Sequence, residues 1–196
     1  KHADMKLIPG TSTDKSNNII NIASVGGKGG NIRLLLTHGL GRNATMKSWF
    51  VEDFNSPLSA GSANPSVALT GENSAICVYR RPVGATHRLY ASMWDGSRSS
   101  AMNNGKPIDE GTGDVLDCAV TYDKQDGAIA AYTLDDESGN VYAVQWNGKA
   151  WKSMNSGKPV SSGKGTISYP RMAMDDNGNA VLVYLKDSWN EEIQQR

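Results

Sequence analysis

Ala75-Ile76-Cys77-Val78-Tyr79, Ala128-Ile129-Ala130-Ala131-Tyr132 and Ala180-Val181-Leu182-Val183-Tyr184 are three versions of one short run, with tyrosines 53 and 52 residues apart. Further along, Leu89-Tyr90-Ala91-Ser92-Met93-Trp94-Asp95-Gly96 matches Val141-Tyr142-Ala143-Val144-Gln145-Trp146-Asn147-Gly148. Met102-Asn103-Asn104-Gly105-Lys106-Pro107-Ile108 matches Met154-Asn155-Ser156-Gly157-Lys158-Pro159-Val160, again at a spacing of 52. Three separate blocks holding one spacing establish an internal repeat of about fifty residues, the feature that has to be read before any single element.

Each unit reads as four short strands. The first is Val67-Ala68-Leu69, Val120-Thr121-Tyr122 or Met172-Ala173-Met174. A polar turn follows, clearest in Asp175-Asp176-Asn177-Gly178-Asn179, where Asn-Gly is a strong hairpin signal. The Ala-to-Tyr run is the second strand, apolar throughout as expected of a strand covered on both faces. The third carries Tyr-Ala and ends in Trp-Asp-Gly or Trp-Asn-Gly. The fourth is weaker, and Pro107 and Pro159 suit an outer edge, where a missing backbone donor costs little. Four antiparallel strands repeated every fifty residues are the sequence form of propeller blades, small two-faced sheets that gain stability by stacking on one another. The expected class is therefore all-β and propeller-like. No segment holds a helical apolar period over three turns, and a sandwich of unrelated strands would not keep a constant spacing.

The units are expected at 1–63, 64–113, 114–167 and 168–196, all within one propeller. The first is diverged: Ile19–Val25 reads as its second strand, Ile32–His38 as its third and Met46–Leu58 as its fourth. Gly26-Gly27-Lys28-Gly29-Gly30 is a turn; it lacks the Gly-Lys-Ser/Thr ending and following helix of a phosphate loop. In the last unit Ile193 follows Tyr184 by the nine residues that separate Val141 from Tyr132, so Ile193-Gln194-Gln195-Arg196 begins a third strand. That makes about three and a half blades, and an open half blade exposes strand edge and apolar surface. Three completions are expected: more polypeptide, another chain adding strands, or copies associating. Trp189, Ile193, Gln194 and Gln195 would form that partner edge.

Lys plus Arg and Asp plus Glu number 20 each. A zero net charge argues against nucleic-acid or anionic-membrane binding, both of which need a cationic excess. No apolar stretch approaches the ~20 residues that span a bilayer. Cys77 and Cys118 lie in apolar runs and can be two buried thiols or one disulfide. No His or Cys spacing calls for a metal, and no motif calls for a cofactor.

The stretch Tyr169-Pro170-Arg171-Met172-Ala173-Met174-Asp175-Asp176-Asn177-Gly178-Asn179-Ala180, with Trp146-Asn147-Gly148-Lys149-Ala150-Trp151, resembles secreted bacterial β-propeller repeats. The resemblance covers roughly 64–196. It implies a propeller, an extracellular, surface or periplasmic location, and lectin, glycosidase or assembly roles. The sialidase Ser-x-Asp-x-Gly-x-Thr-Trp box and an arginine triad are both missing.

Candidate ligand-binding residues are Trp94, Trp146 and Trp151, whose indoles could stack on sugar C–H faces or instead plug the space between blades. Trp151 lacks a counterpart in the preceding unit and is the one expected to be exposed. Arg80, Arg81 and Arg88 could grip a carboxylate or sulfate, or form a solvated charged loop. Asp175, Asp176, Asn177 and Asn179 alternate oxygens as calcium loops do, but a hairpin turn accounts for them equally. His2, His38 and His87 stand near no nucleophile motif, so no catalytic residue is indicated. The expected function is carbohydrate or surface-polymer binding; a strand-adding assembly subunit and a piece of a propeller glycosidase are the alternatives.

Overall fold

A computed structural model describes residues 62–187 apart from 72–73, 112, 123–126, 137–138, 162–164 and 176, together with the backbone of four earlier strands at 5–13, 19–25, 32–38 and 45–50. The described elements are strands and two short 3₁₀ turns. They form three four-stranded antiparallel sheets and one two-stranded sheet, each in chain order. The first holds β1 (Met5–Thr13), β2 (Ile19–Val25), β3 (Ile32–His38) and β4 (Thr45–Phe50). The second holds β5 (Ala63–Gly71), β6 (Ser74–Val83), β7 (Thr86–Trp94) and β8 (Ser99–Ala101). The third holds β9 (Asp114–Tyr122), β10 (Ala128–Asp135), β11 (Val141–Trp146) and β12 (Trp151–Ser153), and β13 (Thr166–Met174) pairs with β14 (Ala180–Asp187). The expected all-β blade architecture is present.

β1 is a strand the sequence reading left unassigned, because Pro9-Gly10 interrupts it and its register slips between Ile8 and Ser12. β4 ends at Phe50, whereas a strand was expected to run on to Leu58; residues 51–61 lie outside the described ones.

Strand alternation decides how the sheets stack. Successive side chains point to opposite faces, and each middle strand uses both. Cys77, Tyr79, Tyr90 and Trp94 join Val67 and Ala75 in one buried cluster on the leading face of the second sheet. Ile76, Val78, Leu89 and Ala91 emerge on the trailing face and meet Val115, Cys118, Val120, Ala130 and Tyr132 of the third sheet. Ala131 and Val141 lie on the third sheet's trailing face, packed with Ile167, Met172, Leu182 and Tyr184 of the last. Equivalent tyrosines thus take equivalent places, and each sheet's trailing face receives the leading face of the next. The first strands β5, β9 and β13 neighbour one another in series, and β1 and β2 lie beside β5. First strands are therefore the inner strands of the stack.

The outer strand of each complete blade in the described region breaks at the Met-Asn-x-Gly-Lys-Pro block. Asn103, Asn104 and Gly105 all take left-handed φ, as do Asn155, Ser156 and Gly157. Glycine has no Cβ to clash in this region and asparagine is among the side chains that tolerate it best. Asn103 Nδ2 and Asn155 Nδ2 each donate 2.7 Å to the carbonyl of Pro107 or Pro159. The chain then rejoins the sheet: Ile108 N donates to Leu89 O and Val160 N to Val141 O, both at 2.8 Å. The prolines thus sit in an excursion of the edge strand, where no ladder donor is required.

Ile76 and Val181 hold one repeat position, but the first is fully buried and the second 62% exposed. Ile76→Ala should cost roughly 2–5 kcal/mol and Val181→Ala within about 0.5 kcal/mol, read as denaturant midpoints of the two variants. Similar losses at both sites would contradict this packing order.

Candidate functional site

The inner strands carry one repeated irregularity. In β5, Asn64 and Pro65 stand opposite Tyr79, because the register passes from Ala63↔Arg80 to Ser66↔Val78. In β13, Tyr169 and Pro170 stand opposite Tyr184 in the same way. β9 slips at Val115 to Asp117. Asn64 and Tyr169 have left-handed φ of 49° and 54°. A bulge inserts a residue and re-aims its neighbours' side chains; Asn64 and Tyr169 occupy it in β5 and β13, whereas in β9 the extra residue is Leu116 and Asp117, equivalent to them by spacing, stays paired with Thr133 beside it.

These bulges join blade to blade. Asn64 Nδ2 donates 2.6 Å to Leu116 O, Cys118 Sγ donates 3.0 Å to Asn64 O, and Val120 N donates 3.1 Å to Ser66 Oγ. Arg80 Nη1 reaches Val115 O at 3.3 Å, and its Nε is buried with no hydrogen-bond partner. One step on, Asp117 Oδ1 accepts from Cys118 N at 2.9 Å, and the Tyr169 backbone N–H also lies against this carboxylate. Burial raises the Asp117 pKa; the Cys118 N–H and the nearby charges of Arg171 and Arg80 act the other way without cancelling it. Burial, and then the Asp117 charge, push the Cys118 thiol upward as well, so it stays protonated. Cys77 and Cys118 are both free and buried, which selects the two-thiol alternative.

The other arginines are engaged. Arg81 lies over the Tyr90 ring at 4.8 Å, and Tyr90 stacks on Tyr79 at 6.3 Å. Arg88 Nε meets Asp109 Oδ2 at 2.7 Å, Arg88 Nη2 meets Asp109 O at 3.0 Å, and Asp109 Oδ1 accepts from Leu89 N at 2.8 Å. Ser161 stands where Asp109 does and accepts from Val141 N at 2.9 Å, so this contact is the repeat's way of holding its outgoing chain. His87 is drawn to Asp114 through its backbone N at 2.5 Å and Nδ1 at 2.9 Å. Of the three arginines, Arg80 alone joins the inner-strand group.

The tryptophans divide differently from expectation. Trp94 is 3% exposed, a plug on the leading face of its sheet. Trp151, expected to be exposed, is 9% exposed, and its Nε1 is buried without a hydrogen-bond partner. The cause is Trp146 directly across the β11–β12 hairpin, whose ring lies 5.8 Å away at 44°. Trp146 is half-buried. Trp189, Ile193, Gln194 and Gln195 lie outside the described residues. Asp175 Oδ1 accepts from Asn177 N and Asn179 N at 2.9 and 2.8 Å. Asn147 Oδ1 and Asp95 Oδ1 close their turns in the same manner. The oxygens of that calcium-like pattern thus serve hairpin closure, and hydrogen bonds led by the Asn179 side chain lower the Asp175 pKa. Asp117 and Arg171 escaped the sequence reading. Their signal was the register shared by Asn64-Pro65, Asp117-Cys118 and Tyr169-Pro170, legible once the blades are aligned.

Because the Asp117 pKa is raised, its ionisation disfavours the fold. That penalty is absent below the unfolded carboxylate value near ~4, grows as pH climbs through the folded value, and is complete above it. Asp117→Asn should therefore raise the denaturation midpoint at pH 7, with the gain vanishing near pH ~3. A gain equal at both pH values would contradict the assignment.

No protein-family model matches this sequence, and no curated protein is similar to it at a significant level. Solved structures share its fold. A candidate glycosidase from Bacteroides thetaiotaomicron superposes with a TM-score of 0.52 at 12% identity, over 81% of this chain and 52% of its own. A structure from work on the GH130 family of mannoside phosphorylases, a family containing glycoside hydrolases that target β-1,2 mannosidic linkages in Candida mannan, gives 0.54 at 13%, over 84% and 54%. A glycosyl hydrolase from Bacteroides ovatus gives 0.51 at 12%, over 79% and 49%. The chain spans about half the length of these structures. At such identities the likeness establishes a propeller-like architecture.

Proposed function

We propose that this chain is a carbohydrate-recognising part of a secreted, surface or periplasmic β-propeller, with its ligand held at the inner-strand end around Asp117, Arg80 and Arg171. The observation that carries the reading is the convergence of Arg80, on β6, and Arg171, on β13, on the Asp117 carboxylate of β9, beside that strand's register slip. A half-buried carboxylate accepts from sugar hydroxyls and two guanidiniums donate to them, the few convergent polar groups that fix a ligand's orientation. Arg171 is exposed, and its Nη1 donates 2.7 Å to Pro170 O. The similarity to carbohydrate-active propellers favours the same ligand class, as an analogy of fold. Among the described residues no helix is long and apolar enough to cross a bilayer.

A second reading, part of a propeller glycosidase, is favoured by the chain's half-length match to such structures. In it, reacting groups come from other blades and the Asp117 cluster positions the sugar.

A glycan array holding neutral, uronic and sulfated oligosaccharides tests binding. The folded protein should bind at least one class, and Arg171→Ala should weaken it by about tenfold, some 1.4 kcal/mol, with an unchanged circular dichroism spectrum. A well-folded protein silent across the array would remove the carbohydrate reading.

A further inference from the structure

The third blade differs from the second at one patch of its leading face, and the differences fall together. Tyr122 stands where Leu69 does, Trp151 where Ser99 does and Ser153 where Ala101 does, at repeat spacings of 53, 52 and 52 residues. Tyr122, Ala128, Trp146 and Trp151 pair in turn across β9, β10, β11 and β12, so they form one row on one face. Ser153 follows Trp151 by two residues in the same strand and shares that face. Tyr122 and Trp146 are half-buried at the margin of the cluster between the second and third sheets, and Trp151 belongs to its buried part. The equivalent row in the second blade is Leu69, Ala75, Trp94 and Ser99, with a single aromatic ring that is 3% exposed.

These exchanges do more than fill space. Trp151 is 9% exposed and its Nε1 has no hydrogen-bond partner, and the buried Ser153 Oγ has none either. A buried donor that has lost water and gained no partner costs stability, whereas phenylalanine and alanine would fill the same places without that cost. Packing therefore leaves the pair unexplained. Two unpartnered polar groups beside the half-buried Trp146 ring are what a bound molecule would complete. Their chemistry selects it: an indole N–H only donates, whereas a serine hydroxyl donates or accepts. Adjacent hydroxyls of a sugar answer both, while its C–H face lies against an indole. β12 is three residues long, a footprint for one ring rather than for an extended peptide.

We infer that this patch is a second carbohydrate site at the outer rim of the third blade. One neutral pyranose stacks on Trp146 and bonds through adjacent hydroxyls to Trp151 Nε1 and Ser153 Oγ. Both atoms are screened from solvent in the free chain, so binding swings the Trp146 ring outward from its place 5.8 Å from Trp151. The inference rests on the carbohydrate reading for its ligand class and shares no residue with the Asp117 cluster.

Nuclear magnetic resonance of the indole N–H groups tests it, with methyl pyranosides of glucose, galactose, mannose and fucose as probes at up to about 20 mM. The Trp151 signal, identified by its loss in Trp151→Phe, should shift with at least one probe. Trp146→Ala should weaken that probe's binding by about tenfold. Ser153→Ala should weaken it by about fivefold, yet leave the denaturation midpoint unchanged or higher, because it removes an unpartnered buried group. This second variant carries the test if Trp146→Ala loses its native spectrum. A Trp151 signal unmoved by every pyranoside overturns the proposal, as does one moved only by a proline-rich peptide. Glycan binding that Trp146→Ala abolishes and Arg171→Ala spares supports this site at the expense of the inner-strand one. The opposite pattern overturns this site and leaves the inner-strand one standing.

Discussion

A four-stranded sheet that is apolar on both faces has to be covered twice, and fifty residues cannot do that alone. Cys77 and Tyr79 leave β6 on one side and Ile76 and Val78 on the other, so the second sheet must be sandwiched. At roughly 25 cal/mol per Å² of apolar surface removed from water, this stacking is the main source of stability, and it fixes the order of the blades. Every other regularity follows from it. Inner strands run side by side because stacked sheets pivot about them, and outer strands are free to break at the Asn-rich excursions.

The candidate site is a by-product of that stacking. Where inner strands approach, backbone groups are satisfied across the blade boundary: Asn64 and Cys118 do so between β5 and β9, and Asp117 with the Tyr169 N–H between β9 and β13. The same crowding half-buries Asp117 and raises its pKa, while Arg80 and Arg171 bring positive charge to its side. A polar cluster that helps hold blades together is also a cluster placed where blades converge, and in propellers that is the position open to a ligand from several sheets at once.

The blade pattern was legible because spacing survives where side chains drift: the Tyr79, Tyr132 and Tyr184 series and the Trp94 and Trp146 pair gave strand order and turns directly. β1 was hidden by Pro9-Gly10, which reads as a breaker and is in fact a register slip within a strand. The site was less legible. Asp117 carries no motif: spacing aligns it with Asn64 and Tyr169, 53 and 52 residues away, but its burial and the approach of Arg80 and Arg171 come from packing that spacing does not display. Trp151 was misjudged because exposure depends on the cross-strand neighbour, and Trp146 lies directly opposite. Arg88 drew attention as one of a charged trio, yet its role is set by Asp109, twenty-one residues downstream in the chain.

The stacking of blade upon blade is tested most directly by methyl contacts measured by nuclear Overhauser spectroscopy on the selectively labelled protein. Cross-peaks joining Ile76 and Val78 to Val115 and Val120 are the predicted result, since these side chains share one buried cluster across the boundary. A spectrum in which Ile76 and Val78 see only methyls of their own sheet would contradict the account.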